Sequence, residues 1–398
     1  MNQILLDRKK FLSFYFLGLM LVLFQCYFLF PTQVVNVLKI GTPLPVVFLC
    51  LFENRLRFHN GIFAAWAAVF CLIGILSVFY TTLNSNTIES FVSLSFCFLM
   101  LFAITQYIRD VKDIETVMNF MIAGGLLYSG YIFLNSYDTI FLYSIDPKYT
   151  RETIMSFTYI MLPTTFYLIY RFLYKDDNKL FIGLLLSFSY LMCLLSGRRK
   201  AMLFPLLLFG LLLILKNRKN NFKIILSIVM TAVLVFAVYY ASMNNDYLYN
   251  IIGKRIAGLL AFASGDDTGD KSAFSRRYLL VTAWELFKQN PLLGIGLNNF
   301  KANNILGLYA HNNYVELLCD LGIVGTAAFY WIYIYLFTQM FRTPGFWNDR
   351  LGQFLFSLLV LNLLLDFGTI SYYRVYHNMF ICLATAYIAI KQEQTGFH

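Results

Sequence analysis

The sequence predicts an all-α polytopic membrane protein with about twelve transmembrane helices and one long extracytoplasmic loop. Apolar residues make up 59% of the 398 and charged residues 13%, against roughly 45–50% and about 25% in soluble domains. Mean hydropathy is +0.64. The apolar residues fall in runs of about 20, the length that crosses a bilayer as a helix. Because backbone groups in hydrocarbon must bond internally and strand-like alternation is absent, each run should be helical.

These runs predict a single membrane domain over residues 1–398. The first run follows Asp7-Arg8-Lys9-Lys10. It is too long for a signal peptide and lacks a small-residue cleavage site, so it predicts a retained span. The predicted spans lie near residues 11–30, 34–52, 61–80, 88–108, 117–134, 154–174, 180–196, 201–215, 223–243, 317–341, 351–367 and 372–390. The polar segment 244–316 is the predicted long loop.

The positions of lysine and arginine predict the orientation. With the N-terminus inside, the cytoplasmic segments are rich in these residues, whereas the opposite turns at 31–33 and 81–87 contain none. The positive-inside rule therefore predicts that both termini are cytoplasmic. The net charge of +10 belongs to this pattern, so no nucleic-acid partner is predicted.

Neither cysteines nor acidic residues form a metal-binding pattern. The seven cysteines are scattered in or beside apolar runs, without a CxxC pair or a Cys/His cluster, which predicts packing residues. The acidic segment Gly265–Asp270 lacks the ligand order and terminal glutamate of a calcium loop. We expect no metal and no cofactor.

Three places depart from the positive-inside rule. Arg198, Arg199 and Lys200 are adjacent cations in a tight outer turn, Arg374 begins the last span on the outer side, and the long loop carries further cations. Long loops translocate largely regardless of charge. For the tight turn, a tolerated surface turn or a miscounted helix remain alternatives to an outward-facing anion site.

The long loop contains a predicted amphipathic helix over 275–288, lying along the outer membrane surface. Its apolar face is predicted to comprise Leu279, Leu280, Ala283, Trp284 and Phe287. Ser275 is a candidate N-cap, and the segment Gln289-Asn290-Pro291 a candidate stop. Arg276 and Arg277 would then lie in the first turn, where they oppose the helix dipole unless an anion binds there.

The loop ends with a histidine and two asparagines. Leu293-Gly294-Ile295-Gly296 predicts a turn, since a dinucleotide site would need a third glycine and a following helix. Asn312 or Asn313 can cap the next helix, which holds His311 just outside it. A lone histidine is usually structural, but the arginines nearby favour a functional role.

Three segments resemble the O-antigen ligase and Wzy-type polysaccharide polymerase family of bacterial envelope proteins. They are 195–201, 276–296 and 311–325, all in the second half of the chain; the first half is similar only in hydropathy. The resemblance implies a bacterial inner-membrane enzyme with an extracytoplasmic active site. Such an enzyme transfers a glycan from undecaprenyl pyrophosphate to an acceptor hydroxyl without a nucleotide sugar or a required metal.

The resemblance also implies roles for individual residues. Arg199 and Arg276 match arginines of the family, and His311 matches its histidine, for which we expect the role of general base. Arg198 and Lys200 stand where family members more often have Ser and Gly, and Arg277 is an additional arginine; all three could share pyrophosphate binding. Supporting roles are expected for Glu316, Asn312 and Arg374, and His377 is a competing base.

The chemistry agrees with this reading. Arginine neutralises a pyrophosphate leaving group through forked, permanently charged donors, and histidine can take a proton near neutral pH. The alternative class is a lipid-linked oligosaccharide flippase, which we disfavour because the spans are nearly charge-free, with Lys39 as the main exception. Within the enzyme class a polymerase is preferred to a ligase that uses a lipid A-core acceptor. Expected partners are the lipid-linked donor, a glycan acceptor, membrane lipids, a flippase and a chain-length regulator.

Overall fold

The computed structural model describes residues 2–53, 60–81, 85–143, 151–254, 256–258 and 271–395, and all their regular elements are helical. The acidic segment 265–270, His59 and His398 lie outside these residues. The longer helices are α1 (Asn2–Cys26), α2 (Thr32–Gly41), α3 (Pro43–Glu53), α4 (Gly61–Leu76), α5 (Ser85–Tyr107), α6 (Val111–Tyr143), α7 (Arg151–Tyr174), α8 (Lys179–Leu195), α9 (Arg199–Lys216), α10 (Asn221–Asn244), α11 (Lys271–Gln289), α12 (Asn313–Arg342), α13 (Arg350–Asp366) and α14 (Val375–Thr395).

The predicted apolar runs coincide with these helices. The run 34–52 forms two helices, α2 and α3, which meet at Thr42 and Pro43. Six stretches among the described residues are long and apolar enough to cross a membrane: Thr32–Glu53, Gly61–Phe79, Thr87–Tyr107, Val111–Asn135, Asn221–Asn244 and Asn313–Arg342. The all-helical class is confirmed, while the count of twelve crossings stays a prediction.

Side-chain caps fix where several of these helices begin. The carboxamide oxygens of Asn178, Asn220 and Asn312 each accept a hydrogen bond from a backbone N–H three residues on. Asp349 accepts from the N–H groups of Leu351 and Gly352 at the start of α13. Each cap satisfies a donor that the helix itself leaves unpaired.

The predicted inner segments meet at one end of the bundle. Their contacts are polar and join helices distant in sequence: Arg109 with Glu53 at 3.3 Å, Lys175 with Glu115, Lys391 with Asp349 at 2.8 Å, and Arg218 with the Trp347 carbonyl at 3.1 Å.

The predicted outer segments meet at the opposite end. The Tyr80 hydroxyl donates to the Leu293 carbonyl at 2.8 Å, and Thr87 Oγ1 donates to Asn299 Oδ1 at 3.0 Å. Lys200 Nζ donates to the Gly368 carbonyl. The segments between successive helices thus lie at the two ends of the bundle in the order that the predicted spans require.

Helix α12 reverses direction at Gly322, which has φ 64° and ψ −166°. The Asn313 amide donates to the Tyr330 hydroxyl at 2.8 Å, although these residues would be about 25 Å apart in a straight helix. The first arm (313–321) therefore folds back beside the second arm (323–342). The apolar run 317–341 therefore contains a reversal that its hydropathy does not reveal, while its crossing of the membrane stays a prediction.

Contacts from residues 291–296 stabilise the reversal. The N–H groups of Ile323 and Val324 donate to the carbonyls of Pro291 and Leu292 at 2.9 and 3.2 Å. A side chain at Gly322 would lie 2.2 Å from the Leu292 carbonyl oxygen. Only glycine fits both the left-handed backbone and this close approach.

Helix α11 packs on the first arm of α12. A small separate core joins them, consisting of Leu279, Ala283, Phe300, Ala310 and Cys319. We call α11, residues 290–312 and the first arm the α11 layer. Leu279 and Ala283 of the predicted apolar face are thus covered by protein, whereas Leu280 and Phe287 are only partly buried. That α11 lies along the outer membrane surface stays a prediction.

Two local expectations for α11 are wrong. Ser275 is not an N-cap, because the helix begins four residues earlier at Lys271; Arg276 and Arg277 consequently lie in its second turn. Trp284 is 46% exposed and does not share the buried face of Leu279 and Ala283. The predicted stop is confirmed, since α11 ends at Gln289 before Pro291.

The helices α8, α9 and α13 have only 17, 18 and 17 residues. Each has one terminus at the end of the bundle where Lys200 meets Gly368. This end contains most of the predicted site residues.

Candidate functional site

His311 adopts a left-handed backbone conformation immediately before α12, with φ 57°. Such a conformation is uncommon for residues other than glycine and costs of order 1–3 kcal/mol, so it persists only where the surroundings impose it. The Asn312 side chain caps α12 by accepting from the Val315 N–H at 3.1 Å, which confirms the predicted cap. The His311 ring lies against Tyr309, with ring centroids 4.2 Å apart.

Glu316 holds the segment before the histidine. Its Oε2 accepts from the Ala310 N–H at 2.5 Å, and the residue is fully buried. A hydrogen bond from the backbone to a buried carboxyl group holds that peptide against the first turn of α12. Glu316 therefore positions His311 from one turn inside the helix and does not itself face the solvent.

Four basic residues lie near enough to His311 to affect its protonation. Burial first, and then the positive charges of Arg276, Lys200, Arg198 and Arg374, lower the pKa of His311 from 6.5 to about 4. The imidazole is therefore neutral at physiological pH and able to accept a proton. We call Arg198, Lys200, Arg276 and Arg374 the cationic cluster.

The cluster combines residues from three separate parts of the chain. Lys200 Nζ donates to the Gly368 carbonyl and to Thr369 Oγ1, which joins the start of α9 to the turn after α13. Arg374 Nε donates to the Ile370 carbonyl at 2.9 Å. Among the described residues, neither Lys200 nor Arg276 forms an ion pair. The charge of Arg276 thus remains available to an anion, whereas burial and the neighbouring arginines lower the pKa of Lys200 to about 7.

Three other residues predicted for the site or as its competing base lie outside the cationic cluster. Arg277, next to Arg276 on α11, is exposed. Arg199 is the first residue of α9 and half-buried. His377 is buried inside α14, within range of the charges of Arg374 and Lys200.

A buried polar network supports the start of α12. Asn313 Oδ1 accepts from the N–H groups of Ser371 and Tyr372 at 2.8 and 3.3 Å, while its amide donates to Tyr330. The Tyr330 hydroxyl in turn donates to Asp366 Oδ2 at 2.7 Å. This network fixes the residue next but one to His311 against α13 and the 367–374 turn.

Two buried acidic residues near the start of α12 have no role in the sequence analysis. Asp320 and Asp366 are fully buried ionisable residues within the predicted spans, so the spans hold more ionisable groups than the sequence analysis allowed. Asp320 accepts from the N–H groups of Asn298 and Phe300, both at 2.9 Å. An ionisable residue inside an apolar run is itself an indication of a role, and could have identified both.

A family model described as O-antigen ligase matches residues 182–330. The resemblance to the O-antigen ligase family is confirmed. The matched residues include α9, α11, the reversal at Gly322 and five of the residues described above: Arg198, Lys200, Arg276, His311 and Glu316. None of the curated proteins compared matches the chain. With its apolar helices, the chain is a multi-pass membrane protein whose residues 182–330 are similar to the O-antigen ligase family.

Proposed function

We propose that the protein is a membrane glycosyltransferase that transfers an oligosaccharide from undecaprenyl pyrophosphate to an acceptor sugar hydroxyl, in the manner of a Wzy-type polymerase. The observation that carries this proposal is the neutral His311 held beside four cations. The enzyme would work in the bacterial inner membrane with its active site on the extracytoplasmic side.

In the proposed reaction the acceptor oxygen attacks the anomeric carbon of the donor. A new C–O bond forms, the bond from that carbon to the phosphate oxygen breaks, and the lipid pyrophosphate leaves with the electron pair. His311 takes the proton of the acceptor hydroxyl. A positioned base of this kind contributes roughly a hundredfold to ten-thousandfold to the rate.

The cationic cluster would bind the pyrophosphate before and after transfer. Charge that develops on the leaving group is stabilised by fixed positive groups. Arg276 and Arg374 add forked donors, and Lys200 a point charge. Arg199 stays in the proposal through its match to the family, with Arg198 as the other arginine of the same turn.

Two alternatives remain: a ligase, which uses a different acceptor, and a flippase, which is a transporter rather than an enzyme. A ligase would use the same donor chemistry with a lipid A-core acceptor. Deletion that leaves single repeat units at the cell surface would identify a polymerase, and unattached lipid-linked polymer would identify a ligase. A flippase remains the second alternative, but the buried carboxylates Asp320 and Asp366 are bonded to backbone, tyrosine and asparagine groups, which supports a structural role.

The test is turnover of a lipid-pyrophosphate oligosaccharide by purified protein in liposomes, beside a donor-binding assay. The sharpest variant is His311→Asn, because asparagine tolerates the left-handed backbone but cannot act as a base. We expect turnover to fall at least about a hundredfold with donor binding nearly unchanged. His377→Asn is the matched control. Normal turnover by His311→Asn together with loss in His377→Asn would transfer the role of base to α14.

A further inference from the structure

A cleft of about 600 Å³ lies at the predicted outer end of the bundle, away from His311. It is lined by Tyr80 and Thr81 after α4 and by residues 290–295, Asn299 and Asn303 of the α11 layer. Its volume falls within the roughly 300–1,000 Å³ of typical small-molecule sites. Nothing in the proposed reaction uses it.

The backbone of the cleft is firmly held. The N–H groups of Ile295 and Gly296 donate to the carbonyls of Cys319 and Asp320 at 2.9 and 2.7 Å. The Leu297 N–H donates to Ser77 Oγ at 3.2 Å. A pocket whose walls are fixed in this way loses little conformational freedom when a ligand binds.

Gly294 is what allows the wall to lie so close to α12. It has φ 70°, and a side chain there would lie 2.4 Å from the Asp320 carbonyl carbon. The 290–296 turn, which supplies most of the cleft's lining, is thus seated directly on the first arm of α12.

The lining is rich in groups that can donate and accept hydrogen bonds. Asn303 uses its Nδ2 to donate to the Asn299 carbonyl at 2.7 Å, which leaves its Oδ1 as an acceptor. The Asn290 side chain forms no hydrogen bond within the described part of the chain. Tyr80 is 43% exposed and adds an aromatic ring beside these amides.

This mixture fits a saccharide better than a lipid chain. Sugars carry many hydroxyl groups that both donate and accept, and they also have apolar C–H faces. A lipid chain would leave the amides of Asn290 and Asn303 without partners, which is unfavourable for groups removed from water.

The cleft lies at a useful distance from His311. Gly296, behind the cleft, contacts the Asp320 carbonyl. Asp320 is seven residues along the first arm from Asn313, so these two residues are about 10 Å apart. A glycan chain whose reacting sugar lies at His311 could therefore reach the cleft with sugars further along the chain.

We infer that this cleft is a saccharide subsite that binds a sugar of a substrate's glycan chain away from the reacting carbon. The inference rests on the proposed function for the identity of the chain. In this inference Asn290, Asn303 and Tyr80 select which glycan binds and take no part in the transfer reaction itself.

The experiment uses the full-length protein in nanodiscs. The probe is the oligosaccharide released by mild acid from the lipid-linked donor of the producing strain. We expect the double variant Asn290→Ala/Asn303→Ala to bind it about tenfold more weakly or worse, from the loss of two neutral hydrogen-bonding groups. Asn244→Ala is the matched control, since Asn244 is exposed and bonds only within its own helix, to the Tyr240 carbonyl.

Binding is measured by calorimetry, and turnover of the lipid-linked donor is measured on the same samples. Equal affinity of the double variant and wild type, or no binding by wild type, would overturn the subsite even if turnover is normal. Conversely, asparagine-dependent binding by a protein that does not turn over the donor would retain the subsite and refute the proposed transfer reaction. Unchanged thermal unfolding of the variants shows that they are folded.

Discussion

The Asn313 amide lies 2.8 Å from the hydroxyl of Tyr330, seventeen residues further along the same helix. This contact is possible only because α12 folds back on itself at Gly322. It places the residue next but one to His311 beside the second arm of α12, at the level where α9 begins and α13 ends. The reversal thus brings the proposed base to the cationic cluster.

Gly322→Ala should therefore disrupt the site. A methyl group there meets the Leu292 carbonyl at 2.2 Å and requires a strained backbone, which together should destabilise the protein by about 2 kcal/mol or more. Thermal unfolding in detergent measures the effect. Gly130→Ala is the control, because nothing lies within 4 Å of its added methyl group. Equal unfolding temperatures for both variants would contradict the role of Gly322.

The pH dependence of turnover should reflect the lowered pKa of His311. A base must be deprotonated, so kcat/KM should be constant near neutral pH and fall only as pH drops towards about 4. Removing a neighbouring positive charge by Arg374→Gln should raise the pKa of His311 and move this acid limb to higher pH. If the acid limb of the kcat/KM profile does not move in the variant, or is centred near pH 6.5 in the wild type, His311 is not the titrating base.

The cationic cluster makes a prediction about donor affinity. Each charge-assisted hydrogen bond contributes about 1.5–3 kcal/mol, so Arg276→Ala should weaken donor binding roughly tenfold to a hundredfold. Arg276→Lys should restore it in part, since the planar fork is lost. Arg277→Ala, at the exposed neighbouring position, is the control.

The same binding assay decides between the two arginines of the outer turn. Arg198 acts on His311, whereas Arg199 is the position that matches the family. Loss of binding in Arg198→Ala but not in Arg199→Ala would assign the contact to Arg198. Full binding in Arg198→Ala, Arg199→Ala and Lys200→Ala alike would remove the turn from the site.

Topology can be measured by single-cysteine labelling in a background without the native cysteines. Gln289→Cys lies at the exposed end of α11, and Glu393→Cys is exposed near the end of α14. A membrane-impermeant maleimide should label the first in intact cells and the second only after permeabilisation. The opposite result would invert the assignment of sides and with it the extracytoplasmic site.

Much of the architecture could be predicted from local sequence. Hydropathy locates the helices because hydrocarbon requires long apolar runs, and the Asn312 cap follows from one short polar segment. The prediction of His311 as the base rests on its position beside that cap, on the nearby arginines and on its match to the family's histidine.

What could not be predicted depends on contacts between distant segments. The reversal at Gly322 needs the 291–296 turn to supply partners for Ile323 and Val324, and nothing in the run 317–341 indicates those partners. The start of α11 was misplaced because Ser275 is a good cap in isolation, whereas the helix extends to Lys271. The cleft joins Tyr80 to Asn303, more than two hundred residues apart, and is visible only once both are folded.

The short helices α8, α9 and α13 have a consequence for the surrounding lipid. With 17 or 18 residues each, they are about 25–27 Å long, less than the roughly 30 Å hydrocarbon thickness of a typical bilayer. Thinning a bilayer to match costs only fractions of a kcal/mol per Å. We expect a dimple in the leaflet above the cationic cluster, in which a lipid headgroup descends to the arginines while its polyprenyl tail remains in the membrane.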